Sequence, residues 1–114
     1  CFDIDNTICR TKSSNYSKSK PIRNKINIIN KLYDQGHTIF FFTARYMGRN
    51  DNNVFKAKSK GFKYTYQQLK KWNVKFHRLY FGKPAADYYI DDKFLNFNKN
   101  WDKKLKEKFL EKGK

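Results

Sequence analysis

Acidic residues are scarce in this chain: 10 Asp and Glu stand against 26 Lys and Arg in 114 residues, a net charge of +16. Cysteine is scarcer still, with only Cys1 and Cys9. Two are too few for a disulfide framework and lack the paired spacing of a zinc site, so reduced thiols are expected. No apolar run approaches the ~18–20 residues that cross a membrane. Nor do the first residues form a basic stretch followed by an apolar signal segment. A soluble, cytoplasmic protein with no membrane partner is expected. Hydrophobic residues reach only 39%, below the usual ~45–50%. Aromatic residues alone make up 18%, so a core can be built from few, large side chains, and wholesale disorder is excluded. The length fits one domain over residues 1–114, without internal repeats. The chain opens at Cys1 with only Cys1-Phe2 before the first acid, and a first strand truncated at its amino end is expected.

A basic domain is a candidate for binding nucleic acid or another anionic surface. Here Lys outnumbers Arg by 21 to 5, a pattern of solvated positions rather than of a groove built for bidentate phosphate contacts. The expectation is weak nucleic-acid binding that disappears near physiological salt. The acids are more informative. Eight of the ten are Asp, and four of these form two tight pairs, Asp3/Asp5 and Asp91/Asp92.

Periodicity organises the rest. Residues 10 to 20 form a polar loop. Ser19, Pro21, the apolar spacing Ile22, Ile26, Ile29, Tyr33, and Gly36 predict a helix with a start and a stop. Thr38 to Phe42 reads as a strand buried on both faces, ending at Thr43-Ala44-Arg45. Tyr46 to Lys60 reads as a loop with a short helix near Val54 to Lys60. Phe62, Tyr66 and Leu69 recur at helical spacing into Trp72, Phe76 to Phe81 reads as a strand ended by Gly82, and Tyr88-Tyr89-Ile90 as a short further strand. Trp101, Leu105 and Phe109 mark a Lys-rich helix closed by Gly113. Strands alternating with helices predict a single doubly wound, Rossmann-like parallel sheet, with ligands beyond the carboxyl ends of its strands. Asp3, Asp5, Thr43, Lys83, Asp91 and Asp92 all stand at such ends.

Two close carboxylates cannot both stay ionised cheaply; they share a proton or bind a cation, and a second acid pair favours the cation. Oxygen-only ligation points to Mg²⁺ with a substrate phosphate. Lys83 then supplies a fixed positive charge and Thr43 a hydroxyl for a phosphoryl oxygen. Each residue also has a plain reading: an Asp-x-Asp turn, a solvated Asp-Asp loop, a Thr that caps, one Lys among many.

Phe2-Asp3-Ile4-Asp5-Asn6-Thr7 resembles the Asp-x-Asp-x-Thr first motif of the haloacid dehalogenase superfamily of phosphatases and phosphotransferases. Phe41-Phe42-Thr43 resembles the second motif, Gly82-Lys83-Pro84 the third, and Tyr89-Ile90-Asp91-Asp92 the fourth. The resemblance runs from residue 2 to about 93, and the stretch from Tyr80 to Lys93 is similar to small capsule or polysaccharide biosynthesis phosphatases of that superfamily. It implies that Asp3 is a nucleophile forming an aspartyl-phosphate and Asp5 the acid and base. It implies Mg²⁺ at Asp3, the Asp5 carbonyl and Asp91, with Asp92 reached through water, and substrate contacts from Thr43, Ala44, Arg45 and Lys83. Arg45 is expected to bind a second phosphate or a sugar acid. The family's further acid after the fourth motif has no clear counterpart.

Neither usual site for a cap domain has room here, which implies the capless class. Its members include sugar-phosphate, polynucleotide 3′- and protein phosphatases. The expected partner is a phosphorylated small molecule, a sugar phosphate in capsule biosynthesis, with a polynucleotide 3′-phosphatase and a non-catalytic basic nucleic-acid-binding module as alternatives. A response-regulator receiver domain uses similar residues, but there the acid pair comes first and the Lys last. A missing cap leaves the site to be covered by a large substrate or a neighbouring subunit, and a homo-oligomer is expected.

Overall fold

The computed structural model describes residues 1–110. It contains two short sheets and three α-helices, with short 3-10 and π-helical turns before, between and after them. Strand β1 (Cys9–Arg10) pairs antiparallel with β2 (Lys20–Pro21), closing the polar loop into a hairpin. Helix α1 (Arg23–Asp34) follows and buries Ile26, Ile28, Ile29 and Leu32. It starts two residues after Pro21 with no side-chain cap, because the cap position falls on Ile22; Ser19, the expected cap, lies three residues earlier and hydrogen bonds to Thr11 (2.6 Å). Strand β3 (Phe40–Thr43) pairs in parallel with β4 (Arg78–Phe81), and the crossover between them is α2 (Val54–Lys71). The chain ends in α3 (Trp101–Leu105) and a π-helical turn over Lys106–Leu110. The closing Gly113 of the expected tail helix lies outside the described residues.

The expected single doubly wound parallel sheet is not what forms. The parallel sheet has two strands, and Phe2 joins it only through an isolated bridge to Phe41. The reason is local. The Ile4 carbonyl accepts from both Thr7 N and Ile8 N, so the chain turns as soon as it leaves the sheet. Tyr88-Tyr89-Ile90 forms no strand: three apolar residues between Asp87 and Asp91 offer too little to bury, and Ile90 is 99% exposed. The Tyr89 hydroxyl donates to the Pro84 carbonyl and accepts from Ala86 N, tying the segment to its own start. The short helix expected near Val54 to Lys60 forms, opened by the Asn53 side chain accepting from Lys56 N, but it does not stop there: α2 runs unbroken to Lys71 and takes in the Phe62–Leu69 stretch as one helix.

The core joins both helices to the sheet through Ile4, Ile26, Ile29, Phe41, Leu69 and Leu79. Gly61 lets α2 approach the Tyr46 ring, which a Cβ there would meet at 2.3 Å. Among the described residues no helix is long and apolar enough to cross a membrane. Cys1 and Cys9 are both free thiols.

Candidate functional site

Three chain segments meet where the parallel strands end. Phe2 N donates to the Phe40 carbonyl (2.8 Å) and Phe42 N to the Phe2 carbonyl (2.9 Å), which brings Asp3 to the end of β3. Lys83 N donates to the Thr43 carbonyl (3.2 Å), carrying the β3–β4 pairing one step beyond the strands. Gly82 makes that step possible. Its φ of +103° lies in the region L side chains avoid, and a Cβ there would meet Val54 at 2.9 Å. Lys83 Nζ then stands 3.7 Å from Asp3 Oδ2 and 4.4 Å from the centre of the Tyr89 ring.

The Asp3 side chain is 36% exposed and lines an open groove of about 970 Å³ with Asp5, Asn6, Lys83, Tyr89 and Asp92. Its Oδ1 accepts from Ile4 N (2.8 Å). Removal from water pushes its pKa up, and this outweighs the opposing pull of Lys83 and the Ile4 N–H.

Asp5 lies deeper and accepts at both oxygens. Arg45 Nε donates to Oδ2 (2.9 Å) and Arg45 Nη2 to Oδ1 (2.8 Å), a bidentate pair. Thr11 Oγ1 also donates to Oδ1 (2.6 Å). Arg45 itself is buried. Its Nη1 donates to Gln68 Oε1 (2.7 Å) and Thr65 Oγ1 (3.5 Å), and Tyr16 covers the guanidinium at 4.6 Å. The sequence expectation of a substrate contact at Arg45 therefore meets a guanidinium turned inward onto Asp5. Thr43 is fully buried, and its Oγ1 accepts from Arg45 N (3.1 Å), leaving its own proton to donate. Ala44 is half-buried between them.

The structure thus brings Asp3, Asp5, Thr43 and Lys83 to one sheet edge. The second acid pair is split. Asp92 lines the Asp3 groove, whereas Asp91 does not. Asp91 Oδ1 accepts from Lys93 N (2.9 Å), and that bond together with Asp92 holds its pKa below the usual range. Among the described residues no group of three or more His, Cys, Asp or Glu side chains is gathered closely enough to hold a metal ion. Three carboxylates line the groove, all hard oxygen donors: Asp5 is engaged by Arg45 and Thr11, which leaves Asp3 and Asp92. They suit Mg²⁺, which is commonly held by one or two carboxylates with waters and a substrate phosphate.

Sequence reasoning missed Thr11, Gln68 and Tyr16, the partners that fix Asp5 and Arg45. Thr11 and Tyr16 belong to a stretch read only as polar loop, and Gln68 is one polar residue on a long helix. Gln68 meets Arg45 across 23 residues, which leaves no local pattern to read, and Thr11 meets Asp5 across six only because the chain turns after Ile4.

No family model matches the sequence. No curated protein matches it either. The fold is similar to that of a solved structure, an MCSG target from Vibrio cholerae, with a TM-score of 0.74 and 27% identity over 93% of this chain and 94% of that one.

Proposed function

We propose that the protein hydrolyses phosphomonoesters through a covalent intermediate on Asp3, with Mg²⁺ as cofactor. The observation that carries this reading is the half-buried Asp3 carboxylate, which opens on the groove and faces Lys83 at 3.7 Å where the parallel strands end. In the first step an Asp3 carboxylate oxygen bonds to phosphorus, and the ester P–O bond breaks with its electron pair going to the leaving oxygen. That oxygen takes a proton from Asp5. In the second step water attacks the phosphorus, its proton passes to Asp5, and the bond to Asp3 breaks to release inorganic phosphate and restore the carboxylate. Asp5 accepts at both oxygens in the present arrangement, so to carry the proton it must release an Arg45 or Thr11 contact. Lys83 offsets charge on the phosphoryl oxygens. Thr43 has a proton to donate but must first be uncovered.

Asp3 and Asp92, with Asp91 and the Asp5 carbonyl nearby in the chain, are the groups that would hold Mg²⁺. What a bound Mg²⁺ supplies there is neutralisation of phosphoryl charge. The capless haloacid dehalogenase class, and a sugar phosphate as substrate, accord with this reading through the motif order Asp3, Thr43, Lys83, Asp91. Phosphate release from a panel of phosphorylated metabolites tests it. Turnover should require Mg²⁺, stop with chelator and be abolished in Asp3→Asn; activity that survives either treatment refutes the mechanism.

A further inference from the structure

Beside the Asp3 groove lies a second, larger one of about 1210 Å³, and its lining is cationic. Arg10, Lys12, Lys18, Lys20 and Lys99 line it, and no Asp or Glu does. All five are exposed, and none pairs with a carboxylate among the described residues. Lys25, also at its wall, is the contrast: it is buried and neutralised by Asp102 at 2.8 Å. Asn6 and Phe97 border both grooves, so the two adjoin, and Asn6 directly follows Asp5.

Four of the five cations sit on one hairpin. Arg10 and Lys20 are register partners across β1 and β2. Like charges directly opposite in an antiparallel pair destabilise it. A solvated surface has no reason to stack them, whereas an anion lying between them turns the cost into binding. Concave walls of low dielectric also focus the field of the cluster.

We infer that this groove binds phosphate carried by the leaving group, so that the substrate is a phosphomonoester whose leaving group bears at least one further phosphate. The inference rests on the phosphatase reading of Asp3 and names its substrate class. A phosphate offers up to two negative charges and several oxygens, which suits five unneutralised cations better than a single carboxylate. The composition alone had pointed to dispersed, solvated lysines; the fold concentrates a group of them next to the reacting carboxylate.

The test uses three substrates with the same reacting group: a nucleoside 3′-monophosphate, the corresponding 3′,5′-bisphosphate, and a short oligonucleotide ending in a 3′-phosphate. The kcat/KM should favour the bisphosphate over the monophosphate by about tenfold or more. In the triple variant Lys12→Gln, Lys18→Gln, Lys20→Gln that preference should collapse. It should persist in Lys31→Gln, Lys63→Gln, Lys71→Gln, which removes the same charge outside both grooves. A further gain for the oligonucleotide identifies a nucleic-acid strand as the source of the extra phosphates, and no gain identifies a small bisphosphate. No preference, or equal losses in the two triple variants, overturns the inference. Anisotropy of a fluorescent bisphosphate on Asp3→Asn protein reads the groove without turnover. Binding there that the first triple variant loses upholds the groove even if no substrate is hydrolysed, in which case the phosphatase reading alone fails. No binding there overturns the groove.

Discussion

The Asp3 carboxylate is held where it costs the fold stability. Its pKa is raised, chiefly by burial, so the folded protein binds its proton more readily than the unfolded chain does. Below the unfolded value of 3.8 the carboxyl is neutral in both states and carries no penalty. As pH rises through the folded pKa, the folded state must accept a poorly solvated charge. Asp3→Asn should therefore have a higher Tm than the parent at neutral pH, with the gap closing as the pH falls through the raised folded pKa toward 3.8; thermal unfolding between pH 3 and 8 checks this. A variant less stable than the parent at pH 7 would contradict it. Arg45 is the complementary case. Lysine keeps the charge but cannot span both Asp5 oxygens while also reaching Gln68. Arg45→Lys should lose hydrogen bonds to a charged partner worth ~1.5–3 kcal/mol each and misplace Asp5, lowering kcat by ~10²-fold. Denaturant unfolding and steady-state kinetics measure the two effects separately, and unchanged kcat would remove Asp5 positioning from the role of Arg45.

Between elements, the buried pair Lys25–Asp102 ties α1 to α3. Lys25 Nζ also donates to the Lys99 carbonyl (2.6 Å) and lies 5.4 Å from the centre of the Trp101 ring. Burial alone would raise the Asp102 pKa, but Lys25 and nearby N–H groups bring it below the ordinary value. The stabilisation it lends is present above the unfolded pKa of 3.8 and is lost as pH falls through the folded one. Lys25→Met should cost ~3–5 kcal/mol at pH 7 by leaving a buried carboxylate unpaired, and less at pH 3, as chemical denaturation at the two values would report. The same region shows what a sequence carries. Helix α1 was legible because Ile26 and Ile29 repeat at helical spacing and Gly36 follows at a φ of +94°. The strand ends were legible too, since Thr43 and Gly82-Lys83 punctuate apolar runs. Tyr88-Tyr89-Ile90 misled because a run of three aromatic and β-branched residues has strand character whether or not a neighbouring edge takes it up. The Asp5–Arg45 pair was illegible because it closes over 40 residues.

At the scale of the whole molecule, a radius of gyration of 14.3 Å lies slightly above the ~13 Å of a compact chain this long, and the stretch from Pro84 to Asn100 forms neither helix nor strand. That stretch and α2 expose Phe55, Tyr88, Ile90 and Phe97, apolar surface suited to a second copy, while +16 charges oppose association. Self-association should therefore rise with ionic strength, from monomer at ~10 mM salt toward dimer near ~500 mM, where the Debye length falls from about 30 Å to a few ångströms. Sedimentation velocity across that series decides it, and a salt-independent monomer would discard the homo-oligomer. One feature makes the balance delicate. Phe2 spends both its N–H and its C=O on β3, so the next residue's backbone pair faces the other way. Among the described residues Asp3 N–H and C=O take no backbone partner, leaving one unpaired backbone step beside the Asp3 carboxylate. Unpaired backbone at a strand edge is a template for zippering copies together, and charge is a common guard against it. The lysines act as colloidal gatekeepers, and any polyanion that titrates them away loosens that guard.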